Sequence, residues 1–197
     1  MAAKDEYLKV TVTQLEMAHA PTHPPRHQPV LPQPVTLMRA YAPTAAFYRH
    51  LYDTVGEPWL WYERRQQDAE TLQAIIRNEN IAIYVLYYGG VPAGFAELDT
   101  RGETSLRADD TLLAYFGLVP DYIGRGLGHY FLEATIDIAW QTHPGGRLIV
   151  RTCTLDHPAA LPLYQKCGFV ATRQQTIKIP DPRKRGLLPP DAGPVGV

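Results

Sequence analysis

Gly124, Gly126 and Gly128 stand at alternate positions with Arg125 between the first two, and such a stretch can hold an anion. Glycines let a backbone come close to a guest, and the orphan amides at a helix start point toward it with the dipole's positive end behind them. Arg125 adds a formal positive charge. Ahead of the glycines lies Leu113 to Val119, a short apolar run rich in aromatic and branched residues, which reads as a strand stopped by Pro120 and Asp121. Behind them Leu127, Phe131, Ala134, Ile138 and Ala139 recur at near-helical spacing, so a helix begins inside the glycine stretch. Two known anion loops fail. The dinucleotide fingerprint needs its third glycine one place later, and no Gly-Lys-Ser/Thr is present for a phosphate loop.

Other reactive residues read as structural. His19, His23 and His27 are four apart, which on a helix would make a metal-like stripe, but Pro21, Pro24 and Pro25 forbid that helix. No metal site is expected. Cys153 ends a strand-like run and Cys167 sits in a turn, and both read as packing. Two cysteines make no disulfide framework, no signal-peptide pattern opens the chain, and a cytoplasmic protein is expected. A net charge of −1 gives no footprint for nucleic acid. No apolar run approaches the ~20 residues of a membrane span, so no membrane partner is expected.

The elements that must position the glycine loop follow from pattern. Tyr7 to Met17 alternates as a strand, and residues 20–34 carry six prolines in a linker or strap. Val35 to Ala40 is the next strand. Helices follow at Ala45 to Val55 and after the capping residue Asp68. Ile81 to Tyr88 and Val91 to Asp99 are strands joined by Gly89-Gly90, a hairpin signature. Thr111 to Val119 is the third strand of that meander. After the long helix come a strand, Arg147 to Cys153, a helix, His157 to Lys166, and a strand, Phe169 to Ile179. The chain divides into 1–34, a strand plus Pro-rich strap; 35–179, the main domain; and 180–197, a Pro-rich tail expected to be loosely ordered.

The glycine stretch resembles the acyl-CoA loop of the GCN5-related N-acetyltransferase (GNAT) superfamily, V-x-P-x-x-[QR]-x-x-G-x-[GA], here Leu118 to Gly128. Ile123 stands where Gln or Arg is usual. A second superfamily signature, N-x-x-A-x-x-[LF]-Y-x-x-x-G-F, corresponds to His157 to Phe169, with LYxxxGF intact and His157 in place of Asn. The resemblance implies an α/β (α+β) acyltransferase fold: a mixed central sheet with a V-shaped splay between its two central strands and helices on both faces. It implies acetyl-CoA as donor, bound by Gly117, Leu118, Val119, Ile123, Gly124, Arg125, Gly126, Leu127, Gly128, His129, His157 and Tyr164. It also lays the first helix pair over the acceptor, so Trp59, Trp61, Tyr62 and Tyr115 are expected to line the acceptor pocket.

The implied chemistry is direct acyl transfer to an amine, in which an oxyanion needs a donor and the departing thiolate benefits from an acid. The resemblance assigns the backbone amide near Leu118 to the first role and the Tyr164 hydroxyl to the second. Relatives carry a base on the strand before the loop, at positions that are Leu112 and Ala114 here, and neither accepts a proton. Glu97 on the neighbouring strand is the nearest candidate, with Tyr115, Asp156 and His157 as competitors; Asp156 or His157 also suits a helix cap. The acceptor, a small molecule or a peptide amine, stays open. So does a homodimer built on a sheet edge or the strap. A CoA-binding module without catalysis is the alternative reading.

Overall fold

Strand β3 (Ile81–Tyr88) carries apolar side chains on both faces. Ile81, Ile83 and Val85 pack with helices α1 (Ala45–Gly56) and α2 (Ala69–Ile76), whereas Tyr84 and Leu86 pack with α3 (Leu127–Thr142) and α4 (Ala160–Lys166). Successive strand side chains leave opposite faces of a sheet, so the helix pairs cover opposite faces. A computed structural model describes residues 6–22, 28–102, 107–194 and 196; the strap residues His23 and His27 lie outside these.

Among the described residues the sheet has seven strands. Beyond β3 they are β1 (Tyr7–Met17), β2 (Val35–Arg39), β4 (Val91–Asp99), β5 (Thr111–Leu118), β6 (Leu148–Cys153) and β7 (Val170–Pro180), in the order β2-β3-β4-β5-β6-β1-β7. Only β5 and β6 are parallel; every other neighbouring pair is antiparallel. The mixed sheet and two-sided helix cover agree with the expected fold.

Local chemistry fixes the element ends. Thr44 Oγ1 accepts from Phe47 N–H at the start of α1, and Asp68 Oδ1 accepts from Thr71 N–H at the start of α2. Helix α4 starts at Ala160 instead of His157. Pro162 is tolerated because it falls in the first turn, where its missing amide would have had no partner.

Two segments placed outside the main domain by their sequence pack against it. Strand β1 lies between β6 and β7, with Val10 and Leu15 buried. Arg147, leading into β6, fastens it by donating to Glu16 on β1 and to Asp110 ahead of β5. The Pro-rich tail, expected to be loose, is docked: Leu188 and Ala192 are buried with Val10, Leu60 and Leu155. Asp181 N–H also donates to Glu6 O at 2.8 Å. Among the described residues no helix is long and apolar enough to cross a membrane.

Candidate active site

Strands β5 and β6 pair at Thr111–Leu148, Leu112–Ile149 and Leu113–Val150, and their ladder ends there. The other edge of β5 explains why. Leu113 pairs with Leu98 of β4 and Tyr115 with Glu97, so Ala114 is an inserted residue. Such a bulge bends its strand and breaks the neighbouring pairing. Beyond Ala114 the strands part around a cavity of about 640 Å³, lined on one side by Tyr115 to Leu118 and on the other by Thr152 and Cys153. Val119 N–H donates across to Ala93 O at 2.9 Å. Successive strand amides point to opposite edges, so Leu118 N–H faces the open edge.

The glycine loop closes one end of this cavity. Gly124 and Gly126 hold φ values of 80° and 78°, left-handed backbone that suits glycine, and Gly126 is the N-cap of α3. Ile123 N–H is taken by Pro120 O at 3.1 Å. Among the described residues the amides of Gly124 to Gly128 donate to no backbone carbonyl. Gly117, Leu118, Ile123, Gly124, Gly128, His157 and Tyr164 line the cavity, whereas Val119, Arg125, Gly126, Leu127 and His129 do not. Leu127 is in the core, Arg125 lies over the Tyr122 ring at 5.3 Å, and the His129 side chain turns to Glu133. What the loop offers an anion is backbone.

Helix α4 and the turn before it form the opposite wall. Tyr164 is 6% exposed, edge-on to Phe116 and Phe169, and burial with the Asp156 charge nearby pushes its hydroxyl pKa well up. Asp156 lines the cavity and caps no helix. Its Oδ2 accepts from Cys153 N–H and Thr152 Oγ1–H, both at 2.8 Å, closing the turn after β6. Burial raises its carboxyl above the ordinary value. His157 Nδ1 accepts from Ala159 N–H, and its ring stands edge-on to Trp59 at 5.2 Å. Cys153 also lines the cavity, with its thiol pushed up to about 11 by burial and the Asp156 charge, so it stays protonated near neutral pH.

The four aromatics singled out in the sequence all lie along the cavity wall. Trp59, Trp61, Tyr62 and Tyr115 line the cavity, with Trp61 against Tyr52, Phe95 and Tyr115. Val10 and Val12 of β1, Ile177 and Ile179 of β7, Leu60 and Leu155 continue this wall as an apolar surface.

Glu97 is elsewhere. It is 0% exposed and outside the cavity lining, because its register on β4 turns it toward α1. Tyr48 donates to Oε2 at 2.5 Å and Arg64 to Oε1 at 2.5 Å. Arg64, which does line the cavity and lies over the Tyr115 ring, and its anchor Tyr48 carried no mark in the sequence. The second arginine of this wall, Arg101, is likewise held by a carboxylate, Asp99.

A family model described as "Acetyltransferase (GNAT) family" matches residues 44–169. No curated protein matches. Among solved structures, a conserved protein of unknown function from Staphylococcus epidermidis has a TM-score of 0.56 and 14% identity, covering 89% of this chain and 63% of its own. A GCN5-related N-acetyltransferase from Sphaerobacter thermophilus has 0.58 and 14%, covering 87% and 52%. An aminoglycoside N-acetyltransferase in complex with CoA has 0.52 and 18%, covering 73% and 94%. At such identities the likeness speaks for the fold, and the chain spans about half the length of the Sphaerobacter thermophilus protein.

Proposed function

The chain belongs to the GNAT acetyltransferase family, and from that premise we propose that it transfers an acetyl group from acetyl-CoA to a primary amine with an apolar body. One observation carries the reading: an open β5 edge meets, in a single cavity, Gly124 and Gly128, whose amides donate to no backbone carbonyl among the described residues. These residues fit a pantetheine-linked pyrophosphate. The Gly124–Gly128 amides hold the phosphates at the positive end of α3. The freed β5 edge, from Tyr115 to Leu118, takes the amide-bearing arm as a strand would take a neighbour. Bound acetyl-CoA supplies the acyl group in activated thioester form.

The chain's own groups then have definable tasks. Leu118 N–H, turned to the open edge, meets negative charge developing on the acyl oxygen. Tyr164, kept protonated by burial, delivers its hydroxyl proton toward the departing sulfur. Asp156 is the proton acceptor this reading favours for the amine, since it reaches the cavity and its raised pKa makes it a better base. Both oxygens of Glu97 are engaged, and its task is to position Arg64.

The acceptor's chemistry follows from the far wall. Arg64 and Arg101 are each held by a carboxylate, and the third arginine of the lining, Arg151, donates to Gln14 Oε1, so the charges of the first two are already matched. Asp156 and Glu63 face the cavity as carboxylates that favour an ammonium, while Trp59, Tyr62, Val12 and Ile179 suit an apolar or aromatic body. The test is thiol release from acetyl-CoA across arylalkylamines, polyamines, amino sugars and peptide N-termini. Turnover is expected to be fastest with an arylalkylamine. CoA binding without turnover on any amine would favour the non-catalytic module, and no CoA binding would end the reading.

A further inference from the structure

The first two turns of α3 and the turn that closes α4 bring three metal-ligating side chains together outside the acyl-CoA cavity. His129 and Glu133 are four residues apart on α3, hence on one face of the helix. Their Nε2 and Oε1 atoms are 3.3 Å apart. Cys167, the residue that closes α4, brings its Sγ to the same point, and the three ligand atoms lie within 4.8 Å of one another. Glu133 and Cys167 are buried, and His129 is partly open to solvent.

We propose that His129, Glu133 and Cys167 form a three-ligand site for a divalent transition metal, zinc first. Imidazole, thiolate and carboxylate are the donors zinc takes, whereas calcium and magnesium want oxygens alone. Zinc bonds of about 2.0–2.2 Å to nitrogen and oxygen set tetrahedral ligands about 3.3–3.6 Å apart. The His129–Glu133 separation already has that value. With all three ligand atoms within 4.8 Å of one another, small side-chain adjustments suffice to close the site. Binding forms a metal–sulfur bond and releases the thiol proton to solvent; no electron changes hands. The part of the His129 side chain that stays open to solvent leaves the fourth position to water.

The site has a structural consequence. Gly128, which lines the cavity, precedes His129, and Tyr164, which lines it from the other wall, stands three residues before Cys167. A metal here fastens α3 to α4 beside the cavity, while the backbone amide of His129 stays with the glycine loop. The proposal does not depend on acetyl transfer.

The test uses the full chain after chelator treatment, in CoA-free buffer. Zinc is titrated against a chromophoric chelator, and cobalt(II) is added separately to read its spectrum. The expected results are one equivalent bound, a thiolate-to-cobalt charge-transfer band with tetrahedral d–d intensity, and a higher melting temperature with zinc. Cys167→Ser and Glu133→Gln should each weaken binding at least tenfold, and Cys167→Ser should abolish the charge-transfer band. Cys153→Ser should keep both. Cooperative melting of each apo variant verifies folding, and Glu133→Gln decides if Cys167→Ser does not fold. No stoichiometric binding by the wild type, or a band that follows Cys153, overturns the proposal.

Discussion

Leu113 of β5 faces Val150 of β6 across the last pair of the parallel ladder, and the bulged residue Ala114 comes next. A single inserted residue against β4 therefore determines where β5 leaves β6. The backbone of Tyr115 to Leu118 loses a strand partner there and gains a cavity.

Gly126 caps α3 with φ at 78°, and nothing lies within 4 Å of an added Cβ. Gly126→Ala therefore introduces strain without a clash, about 1–2 kcal/mol. The expected result is a Tm a few degrees lower and CoA binding weakened about tenfold by calorimetry. Unchanged CoA affinity would separate the loop conformation from the ligand.

Tyr164→Phe keeps the ring that packs on Phe116 and Phe169 and removes the hydroxyl. Turnover should fall about 10²-fold, the lower end of general acid catalysis, with CoA affinity within twofold of wild type. Equal turnover in the two proteins removes Tyr164 from proton transfer.

Asp156 must be unprotonated to accept a proton, and burial raises its pKa. The acid limb of kcat/KM should thus lie above the ordinary carboxylate range, with activity lost as pH falls through the raised value. Asp156→Asn can keep the turn contacts of Thr152 and Cys153, so folding is preserved. With the same amine, that limb should vanish and the plateau should drop about 10²-fold. Superimposable profiles for the two proteins would return the proton to bulk solvent.

Arg147 donates to Asp110 and Glu16, joining β1 to the central sheet. Burial alone would raise the Asp110 carboxyl, but hydrogen bonds from Arg147 and from the Arg107 and Arg147 amides hold it below the usual range. Arg147→Ala strands a buried carboxylate and should cost about 3 kcal/mol in urea unfolding at pH 7. A depressed folded pKa stabilises above the unfolded value, near 3.9, and that contribution is lost as pH falls through the folded one. The difference between the two proteins should therefore narrow below about pH 4. A gap independent of pH would assign the effect to packing.

Most element positions were legible because local chemistry sets them. The alternation of Tyr7–Met17, the caps Thr44 and Asp68 and the pair Gly89-Gly90 act within a few residues. Partners across the chain were not legible. An alternating strand does not say what it pairs with, so β1 read as an appendage instead of the strand between β6 and β7. Leu188 and Ala192 are two apolar residues in a proline-rich tail, too few to announce a docking site. Glu97 looked available because Tyr48 and Arg64, which engage it, lie 49 and 33 positions away. The His129–Glu133–Cys167 cluster was hidden likewise, since a whole strand separates its helices.

The proposed grip on CoA runs through the peptide N–H groups of the glycine loop and of Leu118. Amide chemical shifts followed through a CoA titration test it most directly. Saturable shifts at Gly124, Gly126, Gly128 and Leu118, fitting one dissociation constant, are what the geometry predicts. Saturation elsewhere in the protein while these four amides stay unmoved would contradict it.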